Sequence, residues 1–401
     1  MQALSHPEFA RYAVSRLFAT LAWQMLDSLL GWQMWRLTGR YLDLGYIGLA
    51  QFIPFVVILL PAGQIADRVD RRLIITCAYA LELACAVGLV AATMTGVTNV
   101  NVYFVIAVLL GVGRAFWAPA GQAMTPNLVP KELLPGAVSV NTILFMAGTI
   151  GGPLFAGFLA ALGFDIAFMA AVVVLIVAVI LIYGVRPVKA QATTEWRWHH
   201  VLEGFVFVWR KKTVLGAISL DLFAVLFGGA VAMLPAYAEK VLQIGTISLG
   251  FLRAAPAVGA GIVALTLAVR PIKRHAGTWM FGGVAAFGVC TVVFGFSTSF
   301  WLSFVALAIA GAGDMVSVFV RSLLVQLETP DAIRGRVSAV NSMFIGASNE
   351  LGAFESGVTA KWLGLVRSVV IGGFATLVVV ATYTRLFPAI RKLDRFPEGA
   401  R

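Results

Sequence analysis

The sequence predicts an all-α membrane protein of about twelve transmembrane helices in two pseudo-symmetric six-helix bundles, and three observations predict it. Hydrophobic residues make up 60% of the chain and charged residues 12%, where a soluble domain is about 45–50% apolar and about 25% charged. Mean hydropathy is +0.90. The apolar stretches are long enough to cross a bilayer, which takes ~20 residues of helix. The chain also repeats itself at an offset of about 200 residues.

Taken in order, apolar segments between short polar loops predict helices over 13–37, 46–66, 73–95, 101–124, 138–161 and 164–185, then 214–238, 248–269, 277–297, 300–325, 337–362 and 367–387. This divides the chain into a first bundle (1–185), a cytoplasmic linker (186–213) and a second bundle with its tail (214–401). The first twelve residues hold His6, Glu8 and Arg11 and no small-residue cleavage site, so the first span is expected to remain in the protein. Within the linker, 201–212 is aromatic and then basic. Two readings stand: a helix lying on the cytoplasmic leaflet, or a solvated linker with a greasy turn.

The formal charge is +11. In a soluble protein this would point to nucleic acid, but in an apolar chain the bias of Lys and Arg toward cytoplasmic loops accounts for it. With a cytoplasmic N-terminus, cytoplasmic segments carry 22 of the 30 Lys and Arg, outer loops five and helix interiors three. Both termini are therefore expected in the cytoplasm, with the protein in the cell inner membrane. Cys77, Cys85 and Cys290 all fall in apolar segments, which argues against a disulfide framework or a metal site. The four histidines fall outside the predicted spans, so a proton carrier within the membrane must be a carboxylate. The chain has no Gly-Lys dipeptide, hence no phosphate-cradling loop for ATP. No catalytic triad emerges, and no cofactor is expected.

The repeat is collinear. Gly111-Val112-Gly113 matches Gly311-Ala312-Gly313, Pro130 matches Pro330, and Val140-Asn141 matches Val340-Asn341. Gly152 and Gly157 match Gly352 and Gly357 at the same offset. Gly48, Pro54, Arg68 and Arg72 match Gly250, Pro256, Arg270 and Arg274 at an offset of 202. Six helices per half give both halves one orientation, a parallel repeat with a cavity expected between them.

Two motifs carry mechanism. Gly63, Asp67, Arg68, Asp70, Arg71 and Arg72 end the second helix. Glycine there permits close helix approach, an Asp at a helix end can meet the positive N-terminus of a neighbour, and the arginines anchor at anionic headgroups. The alternative is that the arginines only set topology. Gly148, Gly152, Pro153 and Gly157 in the fifth helix suit tight packing with a proline bend, or ordinary small-residue packing.

The first run resembles the loop signature of the major facilitator superfamily, G-x-x-x-D-R-x-G-R-R, with Asp70 where glycine is commonest. The second resembles that superfamily's antiporter motif, G-x-x-x-G-P-x-x-G-G, with Ala156 at the first of the final pair. The likeness covers the whole chain. Arg114–Ala120, Leu220–Gly229 and Asn349–Gly357 are similar to the branch that includes the enterobactin exporter and macrolide-efflux proteins. The resemblance implies alternating access by a protein functional as a monomer. Asp67 and the arginines would form a conformational latch against the start of the eleventh helix, near Gly335-Arg336-Val337, and the fifth-helix motif favours export over uptake.

Intramembrane charges are costly and usually functional. Asp27 and Arg114 fall at similar depth in the first and fourth helices, and a pair that opens and closes can load and release a proton. Asp221, Arg321 and Asp314 form a looser counterpart in the second half. Glu350 and Glu355 lie in the eleventh helix and Glu82 in the third. For each acid the alternative is a structural ion pair or a water-filled pocket. Arg253 is read either as the partner of a loop carboxylate or as a contact to an anionic substrate. Trp23 and Gln24 are substrate-cavity candidates that otherwise face other helices. The expected function is proton-coupled export of a small amphipathic molecule, a siderophore or a drug, with protons and the lipid bilayer as partners. The alternatives are a lysophospholipid or metabolite transporter of the same fold, or a non-transporting membrane sensor.

Overall fold

The computed structural model describes residues 2–66, 68–187, 198–330 and 333–394. The helices are α1 (Pro7–Thr38), α2 (Tyr41–Ala66), α3 (Arg71–Met94), α4 (Val100–Met124), α5 (Leu134–Ala160), α6 (Phe164–Tyr183), α7 (Trp198–Arg210), α8 (Lys212–Phe227), α9 (Leu234–Tyr237), α10 (Thr246–Val269), α11 (Ala276–Phe296), α12 (Phe300–Glu328), α13 (Arg334–Leu363), α14 (Leu365–Leu386) and α15 (Pro388–Arg391).

Local chemistry sets the ends. Pro7 opens α1 with its φ already helical and no N–H to lose. Gly39 closes it in the left-handed conformation, φ 60°, with its N–H bonded to the Trp35 carbonyl at 2.8 Å. Asp70, the departure from the family signature, caps α3 by accepting from the Arg72 N–H at 3.0 Å.

Among the described residues, ten helical segments are long and apolar enough to cross a membrane. The two long helices outside that set, α1 and α13, have 32 and 30 residues, or about 45–48 Å at 1.5 Å per residue. Each carries five charged side chains: Glu8, Arg11, Arg16, Asp27 and Arg36 in α1, and Arg334, Arg336, Glu350, Glu355 and Lys361 in α13. α1 packs against α5 and α6, and it buries Ser15, Thr20, Ser28 and Gln33 along with its apolar residues. A helix enclosed by protein does not need an apolar face for lipid.

The continuous seventh helix expected over 214–238 is not one helix. It breaks after Phe227 at Gly228-Gly229 and resumes as a 3₁₀ turn (Ala230–Met233), α9 and a π-turn (Ala238–Leu242). A glycine pair followed by Pro235 weakens the ladder there. In the linker, 198–210 is helical: Val208 is buried with Val214, Val337 and Val340, while Trp209 is exposed. These residues thus form a helix rather than a turn, with one face packed on α13.

Two compact units emerge. The first comprises Met1–Gly39, Tyr46–Glu195 and Ile244–Ala254, with a core that includes Phe9, Tyr12, Tyr79, Met124 and Ile182. The second comprises Arg40–Gly45, Trp196–Gln243 and Ala255–Arg401, with Leu220, Met280, Val284 and Leu324 at its centre. Each contains a near-backbone helix contact. In the first, a Cβ on Gly157 would meet the Thr246 carbonyl at 2.7 Å and Gly250 Cα at 3.1 Å. In the second, a Cβ on Gly357 would meet the Tyr41 carbonyl at 2.9 Å and Gly45 Cα at 3.3 Å.

Candidate functional site

The first unit gathers its polar side chains around Asp27 on α1. Its carboxylate is ion-paired with Arg253, from the part of α10 that belongs to this unit. It also accepts a hydrogen bond from Gln51 Nε2 on α2 at 3.3 Å. This corrects the expected partner: Arg114 lies instead over the Phe55 ring at 4.9 Å and the Trp23 ring at 5.6 Å, where the aromatic faces favour the cation. Equal depth on two helices does not fix which way each side chain points. Arg253 thus pairs with a helix carboxylate rather than the loop carboxylate of one expectation. The Asp27 side chain keeps 30% exposure and Arg253 14%, so the pair is only partly enclosed by protein.

Gln51 is a residue that sequence reasoning missed, and a signal for it existed. Gly48 and Pro54 match Gly250 and Pro256 at an offset of 202, which makes Gln51 the repeat counterpart of Arg253. Two equivalent positions thus converge on one carboxylate. Beneath the cluster, Glu82 on α3 is buried and accepts from Trp117 Nε1 at 2.7 Å, giving it the neutral donor that a buried carboxyl requires.

The second unit holds its charges differently. Asp221 on α8 is ion-paired with Arg321 on α12, with side chains 5% and 1% exposed. Asp314, two turns earlier on α12, lies within electrostatic reach of both. Arg321 Nε and Nη2 have no hydrogen-bond partner among the described residues. Glu350 and Glu355 on α13 are partly buried, and the structure does not bring them to this pair.

The loop signature is partly visible. Asp67 lies outside the described residues. Among the described residues, a Cβ on Gly63 would meet nothing within 4 Å. Arg68 is exposed. Arg71 donates to the Ala123 carbonyl at 3.0 Å and the Ala66 carbonyl at 3.3 Å. Arg72 donates to the carbonyls of Tyr183 at 3.2 Å and Val185 at 3.1 Å. Both cations thus cover carbonyls at helix C-termini, where the dipole is negative. Arg336, near the expected latch partner, pairs with Glu203 of α7.

The α5 motif forms a small-residue face. A Cβ on Gly148 would meet Thr20 at 2.9 Å, and one on Gly152 would run into Gln24 and meet the Leu21 carbonyl at 2.9 Å. The motif seats α1 and so fixes where Trp23, Gln24 and Asp27 sit along α5. A Cβ on Gly250 would meet the Pro153 carbonyl at 2.6 Å.

Comparison with known proteins agrees with this architecture. The chain is 24% identical over 404 residues to the enterobactin exporter EntS of Escherichia coli (strain SE11) and to that of Escherichia fergusonii, covering 98% of this chain and 95% of each relative. Among solved structures, the nucleoside transporter NupG superposes with a TM-score of 0.72 at 14% identity, over 95% of this chain and 99% of its own. A bacterial homolog of the human lysosomal transporter Spinster gives a TM-score of 0.72 at 14% identity, over 97% and 98%. The family model for the Major Facilitator Superfamily matches residues 12–353. The match spans most of this multi-pass helical chain, and this chain therefore belongs to the Major Facilitator Superfamily of membrane transporters.

Proposed function

We propose that this chain is a proton-coupled secondary exporter of a small amphipathic molecule, a siderophore or a drug, working by alternating access. The observation that carries the reading is the half-open ion pair of Asp27 with Arg253, flanked by Gln51 and by Arg114 on its aromatic bed. A carboxylate that trades protons needs contact with water and a partner that can let go. Asp27 is part-exposed with a cationic partner, on a helix whose packing against the α5 glycines holds it in place, and these features support that role. When the pair opens, Asp27 takes a proton; when it closes, Arg253 favours the ionised form. Export is supported by the α5 motif, and an amphipathic cargo by likeness to proteins named as enterobactin exporters. The excess of Lys and Arg in alternate loops supports an inner-membrane orientation with cytoplasmic termini and a 186–213 linker between bundles 1–185 and 214–401. The arginines of the α2–α3 loop, with Asp67, act as the latch that biases the cycle.

The test uses inside-out vesicles and a panel of siderophores and hydrophobic drugs, with and without an imposed proton gradient. Accumulation should rise with the gradient in the wild type and become insensitive to it in Asp27→Asn. An unchanged gradient dependence in that variant removes Asp27 as the carrier. Orientation is checked separately: cysteines replacing Thr98, Ser299 or Gly364 should react with an impermeant thiol reagent from outside, and one replacing Thr194 should not.

A further inference from the structure

Opposite faces of α7 carry apolar residues, and protein covers only one of them. Around the helix from Val206, Gly204 and Val208 fall on the far side, while Trp209 and Arg210 fall beside Val206. Gly204 and Val208 are buried. A Cβ on Gly204 would meet the Arg336 carbonyl at 2.9 Å, and Val208 packs with Val214, Val337 and Val340. On the other face Val206 is 46% exposed and Trp209 76%, and Arg210 is exposed beside them.

Ion pairs hold α7 in this orientation. Glu203 pairs with Arg336 at the start of α13. Lys211, between α7 and α8, pairs with Glu328 at the end of α12 at 2.8 Å, and the Thr213 hydroxyl donates to the same carboxylate at 3.0 Å. All of these residues belong to the second unit, so that unit itself turns Val206 and Trp209 outward.

Chain continuity points to what covers the outward face. α8 opens at Lys212, the first residue of a segment long and apolar enough to span the membrane, Lys212–Leu242. Trp209 stands three residues earlier, at most about 10 Å along the chain, so the strip lies where the chain passes from water into the bilayer. An exposed tryptophan at that level rests between hydrocarbon and headgroups. Lys211 is taken by Glu328. Arg210 and Lys212 are exposed on either side of it, and cations at a membrane surface favour anionic lipid.

From this geometry we infer that the outward face of α7 docks on the membrane surface that α8 enters and selects anionic phospholipid there. Val206 and Trp209 sit among the headgroups and upper acyl chains, and Arg210 and Lys212 meet the lipid phosphates. The inward face keeps its grip on α13, so α7 joins the lipid surface to the start of that helix. Nothing in this seat depends on proton coupling.

The test places an environment-sensitive dye on Val206→Cys in the full-length protein, with Cys77→Ser to silence the exposed native thiol. The labelled protein is reconstituted in nanodiscs of phosphatidylcholine with a rising share of phosphatidylglycerol. Dye emission should shift to the blue and saturate as that share rises, and high salt should reverse the shift. Arg210→Gln combined with Lys212→Gln should need about fivefold or more phosphatidylglycerol for the same shift. Lys392→Gln, which removes an exposed cation elsewhere, should leave the curve where it was. Should the labelled variant fail to fold, phosphatidylglycerol retained by the unlabelled protein in native mass spectrometry should fall in the Arg210→Gln, Lys212→Gln variant and hold in Lys392→Gln. A dye that reports water at every composition, or a full shift in phosphatidylcholine alone, overturns the inference. So does an unmoved curve in the double variant, or an equal loss in Lys392→Gln, which would mean diffuse charge attraction. A blue shift in lipid-free detergent that grows with protein concentration overturns it as well, by assigning the face to a second copy of the chain.

Discussion

Among the described residues, each unit holds an intramembrane ion pair, and the two are built to opposite specifications. Asp27 and Arg253 in the first are 30% and 14% exposed and share their surroundings with Gln51 and two aromatic rings. Asp221 and Arg321 in the second are 5% and 1% exposed. The desolvation of a sealed pair is recovered only while both members stay together. A pair open to water loses little when it separates. The sealed pair therefore acts as an anchor between α8 and α12, and the open pair as an exchange site.

The sharpest way to break that comparison is to remove one member of the sealed pair. Arg321→Gln strands Asp221 in the core of the second unit, at a cost of about 3–5 kcal/mol. Thermal unfolding in detergent should drop steeply, or the variant should fail to accumulate. Asp221→Asn combined with Arg321→Gln should recover much of the loss, since no lone charge remains. A single variant as stable as the wild type would show that the pair is not an anchor.

Next in size are the glycines that the repeat shares. A Cβ on Gly111 would run into the Gln51 carbonyl, and one on Gly311 into the Pro256 carbonyl. Gly111→Ala and Gly311→Ala should each cost about 1–3 kcal/mol by overpacking. Equal losses would mark the glycine frame as common to both units. A loss at only one position would mean that one unit can shift its helices apart.

That frame was the legible part of the sequence. Hydropathy placed α3 (73–95 expected, Arg71–Met94 observed), α4 and α6 within a few residues, because lipid-facing apolar runs are read directly from composition. The first helix was expected from residue 13 but begins at Pro7, since a polar first turn carries no hydropathy signal. The break at Gly228-Gly229 was written in the glycines and overridden by the apolar run around them. Charge partners were the illegible part. Gly111 and Gly311 repeat, but Arg114 has Asp314 as its counterpart, Arg321 has Gly121, and Arg253 has Gln51. Pairing depends on the azimuth of each side chain around its helix and on which helices touch. Depth alone led from Asp27 to Arg114, whereas the repeat register pointed toward Gln51 and Arg253.

A smaller effect tests how each unit ties down its last helix. In the first, Arg11 donates to the Gly184 carbonyl at 3.1 Å and Arg72 to Tyr183 and Val185, just past α6. In the second, the segment after α14 returns to the start of α11: Asp394 pairs with His275 at 2.9 Å and Arg274 at 3.7 Å. The Gly277 N–H donates to the Leu393 carbonyl at 3.0 Å. Arg274 is the repeat counterpart of Arg72, so one position clasps the end of the last helix in both units. These contacts are exposed, and Asp394→Ala should cost about 1 kcal/mol or less. Amide exchange should speed up in residues 388–394 and at the first turn of α11, with the rest of the second unit unchanged.

The smallest change in stability, and the one that sharpens the opening comparison most, belongs to the open pair. Arg253→Gln leaves Asp27 with Gln51 and with water, so unfolding should move by about 1 kcal/mol or less, several times less than Arg321→Gln. Asp27→Asn should be as mild, since an amide can still accept from Gln51 and from Arg253. Function should move the other way. Both variants should insert and fold, yet gradient-driven accumulation in inside-out vesicles should be lost in Asp27→Asn and impaired in Arg253→Gln, where the carboxylate no longer has a cation to exchange for its proton. Measuring unfolding and flux on the same four variants separates the two kinds of pair. If Arg253→Gln proves as destabilising as Arg321→Gln, exposure does not distinguish anchor from exchange site. Asp27 would then be a structural residue, and the search for the proton carrier would move to Asp314, which shares Arg321 with Asp221.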